Sequence, residues 1–319
     1  MNAGFLDTQL TAYLGLRTAL GFQLHAARLL LPEFVAYLQA RDLTEPVRAQ
    51  VALDWACVGS ARRGPGGSAR RLSIARGFLS YLRASLPQTE VPAHGLLPTP
   101  RRRKPYIFSP AQVTALSVAA RESRPRGSLR PHTLATLIGL LVSTGLRSGE
   151  AIRLTIADVM LDLDPPQLHI RQTKFGKSRI VPLHPSTAEQ LRGYATERAE
   201  LGYDALSPAF FVAEQGQALG YRAVHAWFLR LCRRLALKAP EGGRGPCLTS
   251  FRHTFAVTRL QRWYQHGLDV QALLPHLSVY LGHVRPQESY WYLTAVPELL
   301  GAAAERFRTY AIEGGRHDQ

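Results

Sequence analysis

The stretch QLHIRQTKFGKSRIVPL, residues 167–183, departs most clearly from helical patterning in this sequence. Leu168, Ile170 and Gln172 alternate with their neighbours, as in a strand with one buried face. Gly176, within KFGK, supplies the backbone freedom that a tight turn needs. The pattern therefore predicts a β-hairpin, with one strand on either side of that turn.

Most of the remaining sequence has apolar residues at helical spacing. The stretches with this spacing are 6–21, 26–40, 68–86, 134–143, 223–237, 250–267 and 297–312. Pro32 predicts a break in the second of them, because proline lacks the N–H that a helix interior needs. The predicted fold class is therefore mainly α with a small β-sheet.

Changes in composition divide the chain into three segments. Residues 1–95 form a helical N-terminal domain, within which SARRGPGGSARR (60–71) predicts a flexible, basic loop. Residues 96–108 are rich in proline and predict a linker. Residues 109–319 form a second domain, which opens at Ser109 with a capping-box pattern and a proline at the first helical position.

The charge balance indicates a polyanionic partner. The chain of 319 residues carries 39 basic and 23 acidic residues, a net charge of +16 and a pI of about 10.4. Coding bias explains why arginine replaces lysine, but it does not explain the excess of positive charge. The candidate nucleic-acid contacts are Arg70, Arg71, Arg101, Arg102, Arg103 and Lys104. A solvated run of charge is an equally good interpretation of the last four.

Several classes of protein are not indicated. We see no apolar run long enough to span a bilayer, no secretory signal and no Walker motif. Cys57, Cys232 and Cys247 are far apart and odd in number, which favours a reducing cytoplasm over a disulfide framework. The acidic stretch DVMLDLD (158–164) predicts a solvated turn rather than a metal site. We therefore expect no membrane partner and no metal.

The stretch TGLRSGEAIRL (144–154) predicts a junction between two helices. Gly145 ends the first helix, and Ser148 is a candidate cap for the second. Arg147 would then project from a rigid position, with Glu150 close enough to orient a neighbouring side chain. A capped helix start with ordinary surface charges fits the same residues.

Lys174 and Lys177 flank the predicted hairpin turn, and they are two of only four lysines in the chain. Lysine can give up a proton whereas arginine stays charged, so a retained lysine suits general-acid chemistry. A solvated hairpin tip is equally compatible with the sequence.

Two further stretches carry histidines beside other reactive groups. LTSFRHTFAV (248–257) contains Arg252 and His253, and YLGHVRPQESYWYL (280–293) contains one histidine and two tyrosines. Taken singly, each histidine favours a structural role. Tyr290 and Tyr292 would face opposite sides of a helix, so only one of them can meet a substrate.

Together, these four stretches resemble the tyrosine recombinase, or phage integrase, family, including Xer-like enzymes. The resemblance covers residues 109–310, and the helical module at 1–95 is similar to the family's core-binding, SAM-like domain. It implies an α/β catalytic domain of the tyrosine recombinase type. The catalytic residues that the resemblance implies are Arg147, Lys174, Arg252, His283 and the nucleophile Tyr292, which follows His283 by nine residues.

Two features depart from the family pattern. The family usually has a histidine three residues before the second arginine, where this chain has Thr249. Threonine can bond to a phosphate oxygen but cannot act as a base near neutral pH. His253 matches a common family neighbour that is not usually catalytic. The segment from Arg252 to His283 is also longer than usual, as in recombinases of transposons and plasmids. We retain Glu150 and Thr249 as supporting or substitute positions.

The resemblance implies a bacterial, cytoplasmic and nucleoid-associated site-specific recombinase that acts on double-stranded DNA. Two arginines would bind the non-bridging phosphoryl oxygens, Lys174 would protonate the leaving oxygen and His283 would donate to the phosphate. Tyr292 would store the broken bond as a 3′-phosphotyrosine, which removes any need for ATP, metal or another cofactor. A type IB topoisomerase-like enzyme and a catalytically impaired accessory subunit are the alternatives.

The family resemblance also implies several subunits on one synapse, either as a homo-tetramer or with related recombinases. The C-terminal helix predicted over 297–312 would then pack on a neighbouring subunit. Its amphipathic pattern fits packing on its own domain nearly as well.

Overall fold

The computed structural model describes residues 3–41, 46–99, 103–123, 125, 127–171, 177–241, 243–283, 285, 287–295 and 301. The chain divides into two compact units, Met1–Arg102 and Arg103–Gln319, here called the N-terminal and C-terminal units. The predicted fold class is confirmed, because the described residues are mainly helical with one three-stranded sheet. Within the described ranges, no helix has the length and apolar character needed to cross a membrane.

The N-terminal unit is a helical bundle around one apolar core. Its helices are α1 (Ala3–Ala19), α2 (His25–Gln39), α3 (Ala49–Cys57) and α4 (Ser60–Leu82). Phe34 of α2 packs on Trp55 of α3 with ring centroids 4.8 Å apart. The predicted break at Pro32 is wrong, since α2 continues through it. Burial of Leu31, Phe34 and Val35 on both sides of the proline offsets the missing backbone hydrogen bond.

The loop predicted over 60–71 is also wrong, because the backbone of α4 is helical from Ser60. Contacts of Arg71 hold α4 against α3 and α2. Its guanidinium lies 3.8 Å from the centre of the Trp55 ring and donates to Glu33 at 3.0 Å. Only 4% of Arg71 is exposed, which favours a structural role in this bundle over the predicted contact with DNA. Arg70, the preceding residue, is exposed.

The C-terminal unit combines the remaining helices with the small sheet. Its helices are α5 (Pro110–Arg121), α6 (Arg130–Thr144), α7 (Ser148–Ile152), α8 (Pro185–Glu200), α9 (Tyr221–Arg234), α10 (Leu248–Gln265), α11 (Val270–Leu281) and α12 (Gln287–Ala295). The capping box at Ser109 is confirmed: its hydroxyl accepts from the Gln112 N–H, and the Gln112 amide oxygen accepts from the Ser109 N–H. Helix α6 lies in the centre of the main core, with most of its residues buried.

The sheet consists of β1 (Val159–Met160), β2 (Gln167–Ile170) and β3 (Arg179–Pro182), all antiparallel. The pairing of β2 with β3 confirms the two strands of the predicted hairpin, whose turn falls outside the described residues. The solvated turn predicted over 158–164 is only partly correct. Asp158 is buried and accepts from the backbone N–H of Thr155, and the next two residues form β1.

A second apolar cluster in this unit joins α10, α11 and α12. Phe255 of α10 stacks on Tyr280 of α11 with ring centroids 5.6 Å apart. Leu274 and Leu281 of α11 complete the cluster, and Tyr292 of α12 is buried in it. The packing of these three helices determines the positions of the site residues.

Candidate active site

Arg147 lies between α6 and α7, as predicted. Gly145 ends α6 with φ +63°, and a Cβ at this position would lie 2.5 Å from Cδ1 of Phe255. The predicted cap at Ser148 is wrong. Instead, the Glu150 carboxylate accepts from the Arg147 backbone N–H at 3.1 Å and from the Arg147 guanidinium at 2.8 Å. The Glu150 carboxylate thus caps the N-terminus of α7 and also orients the Arg147 guanidinium.

Glu150 also binds Arg179, the first residue of β3. The Nη2 of Arg179 donates to Oε2 of Glu150 at 2.8 Å, and the Glu150 side chain is only 3% exposed. Burial by itself raises the pKa of Glu150, but the hydrogen bonds and charges of Arg179 and Arg147 outweigh that effect. The net result is a pKa below the usual range, so Glu150 is a carboxylate near neutral pH.

The carboxyl end of α11 accepts hydrogen bonds from three arginines. Arg179 donates to the carbonyl of Tyr280 at 2.9 Å, Arg252 to that of Leu281 at 2.7 Å and Arg147 to that of Gly282 at 3.0 Å. The last carbonyls of a helix have no partner within the helix and carry its negative dipole end. They are therefore well suited to hold guanidinium groups in fixed positions.

Arg252 is held from two sides and is only 5% exposed. Its Nη1 donates to the carbonyl of Gly145 at 3.0 Å, in addition to the bond from its Nη2 to Leu281. Burial, and then the nearby charge of Arg147, lowers the pKa of Arg252 to about 10. The group remains charged at neutral pH, and each bonded Nη retains a second N–H that can be offered to an anion.

His283 follows Gly282 and lies against Tyr292. The two rings are stacked, 17° from parallel, with centroids 6.3 Å apart. The Nδ1 of His283 is 2.7 Å from the Ser289 hydroxyl, which accepts from the Ser278 hydroxyl at 2.6 Å. Because Ser278 donates to Ser289, the proton of Ser289 can go to Nδ1 of His283. This arrangement favours the tautomer with its proton on Nε2.

The two tyrosines of SYWYL lie on different faces of α12, as predicted for a helix. Tyr290 is 48% exposed, whereas Tyr292 is 2% exposed. The Tyr292 hydroxyl is 3.1 Å from Nδ1 of His253. Trp291 packs on both of these rings, with centroids 5.4 Å from Tyr292 and 5.6 Å from His253.

The structure thus brings Arg147, Arg252, His283 and Tyr292 together around the end of α11. Thr249 is an exposed residue in the first turn of α10. Arg103 and Lys104 are exposed at the start of the C-terminal unit. The predicted positions that lie outside the described residues are Lys174, Arg101, Arg102 and nearly all of 297–312.

Two residues of this cluster, Arg179 and Ser289, carry no motif in the sequence, and neither does the contact between His253 and Tyr292. Ser289 precedes Tyr292 by one helical turn, so helical spacing could have placed it on the same face. Arg179 has no comparable local signal, because its partner Glu150 is 29 residues away in the chain.

Replacing Glu150 should destabilise this cluster. In Glu150→Gln, two guanidinium groups lose a buried counter-charge, and we expect the free energy of unfolding at pH 7 to fall by about 3 kcal/mol. Urea denaturation of the full chain would measure the change. A matched control is Glu189→Gln, whose carboxylate pairs with Arg192 but is 77% exposed. It should change stability by less than about 0.5 kcal/mol.

The same variant should alter the response to acid. The folded-state pKa of Glu150 is depressed, so its stabilisation is present above the unfolded-state pKa and is lost as pH falls through the folded-state pKa. Stability should therefore fall less steeply with acid in Glu150→Gln than in the wild-type chain. Parallel curves for the two proteins would contradict this assignment.

Comparison with known proteins identifies the family. The family model described as "Phage integrase family" matches residues 108–298. A putative integrase/recombinase, y4rB, of Sinorhizobium fredii (strain NBRC 101917 / NGR234) is 42% identical over 299 residues, which are 92% of this chain and 94% of that protein. Tyrosine recombinase XerD of Mycobacterium leprae (strain TN) is 32% identical over 261 residues, which are 77% of this chain and 73% of that protein.

Solved structures have the same fold at lower sequence identity. The XerH site-specific recombinase bound to palindromic difH substrate, a post-cleavage complex, aligns with a TM-score of 0.65 at 19% identity and covers 86% of this chain and 76% of its own. The Tn1549 transposon integrase in complex with transposon right-end DNA aligns at 0.61 and 16% identity, covering 93% and 98%. On the family match and these relatives, this chain belongs to the phage integrase family and is a site-specific tyrosine recombinase.

Proposed function

We propose that the chain cuts and rejoins double-stranded DNA through a covalent 3′-phosphotyrosine at Tyr292, without ATP or metal. The phenol oxygen attacks phosphorus, and the 5′ oxygen of the broken strand departs with a proton. A second strand's 5′ hydroxyl then reverses the step. The bond energy stays in the phosphotyrosine between the two steps, so no external energy source is required. The guanidinium groups of Arg147 and Arg252 stabilise the negative charge, which is the part a metal ion plays in other phosphoryl transfers.

The observation that carries this proposal is the convergence on residues 280–283. Three consecutive carbonyls bind Arg179, Arg252 and Arg147, and the next residue, His283, stacks on Tyr292. Phosphoryl transfer needs positioning of the reacting groups and stabilisation of negative charge. Arg147 and Arg252 as positive donors and Tyr292 as nucleophile, all held around one helix end, meet both needs.

Each residue of the cluster has a role that fits its contacts. Arg147 and Arg252 offer N–H groups to the non-bridging oxygens. The Nε2–H of His283 donates to the phosphate, since its Nδ1 is bonded to Ser289. We assign protonation of the leaving oxygen to Lys174 on the family resemblance. Glu150 and the end of α11 hold the guanidinium groups in place.

We propose that the N-terminal helical unit is the core-binding domain and that the first part of 96–108 links it to the catalytic domain. Tyr106 and Phe108, at the end of that segment, are buried in the core of the C-terminal unit and belong to it. Exposed Arg70, Arg103 and Lys104 are candidate contacts to the DNA backbone. Lambda integrase, a structural relative, has been seen as a tetramer bound to a Holliday junction. By analogy, we propose that several copies of this chain, or this chain with related recombinases, assemble on DNA.

A nicked suicide substrate made from the end of the element that carries this gene tests the proposal. Cleavage near the nick releases a short fragment that diffuses away, so the covalent intermediate accumulates. We expect an adduct that survives denaturation and forms in the presence of EDTA and without ATP. Tight binding of the site with no adduct would contradict the proposal and favour an accessory subunit, the role that Thr249 would suit.

DNA affinity should fall steeply with salt. If the exposed cations neutralise about 6–10 phosphates, affinity should fall by roughly 10³- to 10⁵-fold between about 50 and 200 mM salt. Fluorescence anisotropy with labelled duplex would measure the slope. Arg70→Ala should reduce that slope by about one. The matched control is the buried neighbour Arg71. Arg71→Ala should lower the stability of the protein instead of changing the salt slope. A flat salt response would contradict a basic DNA-binding surface.

A further inference from the structure

Attack by a tyrosine requires that its phenolic proton be removed. An ordinary phenol has a pKa of about 10 and is almost wholly protonated near neutral pH. A general base must lie within hydrogen-bonding distance of that hydroxyl, roughly 2.6–3.2 Å. Because this chain has Thr249 at the position where the family usually has a histidine, the proton acceptor must be sought among the groups around Tyr292.

His253 meets the geometric requirement. Its Nδ1 is 3.1 Å from the Tyr292 hydroxyl oxygen, and the two rings pack edge to face with centroids 5.6 Å apart. His253 is partly buried, and the edge of Trp291 also packs on it. In the tautomer that carries its proton on Nε2, the Nδ1 lone pair accepts the Tyr292 O–H.

The other nearby groups are less suited to the task. The ring of His283 lies face to face with Tyr292, and its Nδ1 is bonded to Ser289. Arg252, the neighbour of His253 in α10, is a cation at neutral pH. Thr249 is exposed and is not a base in this pH range.

We propose that His253 is the general base that removes the proton of Tyr292, an assignment that rests on the proposed function. As the Tyr292 oxygen bonds to phosphorus, its proton moves to Nδ1 of His253. The bond from phosphorus to the 5′ oxygen breaks, and that oxygen takes a proton from Lys174. In the rejoining step the incoming 5′ hydroxyl returns its proton to Lys174, and His253 returns its own to the phenol. After one cycle of cleavage and rejoining, His253 and Lys174 have returned to their starting protonation states.

Three substitutions test the assignment on the suicide substrate. In His253→Ala, the rate of adduct formation should fall by about 10²- to 10⁴-fold, with DNA affinity retained. His253→Asn keeps a polar group that can bond to the phenol but cannot take its proton, so it should be as slow as His253→Ala. His266→Ala, an exposed histidine at the end of the same helix, should cleave at the wild-type rate.

Chemical rescue distinguishes a base from a packing residue. Added imidazole should restore cleavage by His253→Ala, and substituted imidazoles of higher pKa should restore it more. A substrate with sulfur in place of the bridging 5′ oxygen needs no proton on its leaving group. His253→Ala should remain slow on this substrate, whereas Lys174→Ala should recover.

The outcomes separate this assignment from the proposed function. A wild-type chain that forms no adduct contradicts the proposed function itself. A wild-type adduct combined with full activity of His253→Ala or His253→Asn would overturn only the role of His253. The role of His253 would also be overturned if imidazole failed to rescue slow cleavage by His253→Ala, or if His253→Ala recovered on the sulfur substrate.

Discussion

Tyr292→Phe should form no covalent adduct with DNA while retaining its affinity for the site. The substitution removes one oxygen from a side chain that is 2% exposed and keeps the ring that packs on His283 and Trp291. Loss of the hydroxyl removes the proposed nucleophile. Denaturing gel electrophoresis after incubation with the suicide substrate would measure the adduct, and anisotropy would measure binding.

Tyr290→Phe is the matched control, because it makes the same change two residues away on the exposed face of α12. It should form the adduct at the wild-type rate. The reverse result, an adduct in Tyr292→Phe and none in Tyr290→Phe, would show that the wrong tyrosine has been assigned.

Arg252→Lys should slow cleavage by roughly 10²- to 10³-fold, the usual effect of losing one donor to a developing oxyanion. The planar guanidinium donates to Gly145 and Leu281 at the same time and still has N–H groups for phosphate. An ammonium group keeps the charge but cannot reproduce this fixed set of donors. Single-turnover cleavage at saturating protein would isolate the chemical step.

The control for this change is Arg262→Lys, at an exposed position on the same helix. It should cleave at the wild-type rate, and both proteins should bind the site with similar affinity. If Arg252→Lys were as fast as the control, Arg252 would contribute only charge and its fixed geometry would not matter.

Local patterning predicted much of the fold but failed where tertiary packing overrides it. The hairpin strands, the capping box at Ser109 and the opposite faces of Tyr290 and Tyr292 follow from spacing alone. The predicted break at Pro32 and the predicted loop over 60–71 are both helical in the structure. Burial of neighbouring side chains stabilises these helices although their local sequences have low helix propensity. Strand β1 has two residues, too few for any periodicity.

The family resemblance predicted a site that contains Arg147, Arg252, His283 and Tyr292, which the structure brings together, but not how these residues are held. Arg147 donates to a carbonyl 135 residues further along the chain, and no local pattern encodes such a contact. The sequence around Arg179 predicts only a strand and gives no sign of its contacts with Glu150 and the carbonyl of Tyr280. The family pattern indicates no usual catalytic role for His253, and only the fold reveals its distance to the Tyr292 hydroxyl.

Mapping the covalent attachment point tests the central claim most directly. The wild-type adduct would be digested with protease and nuclease, and the remaining nucleotide-bearing peptide would be sequenced by mass spectrometry. We predict that a 3′-phosphonucleotide is attached to Tyr292. Attachment at Tyr290, at another residue or through a 5′ phosphate would contradict the account.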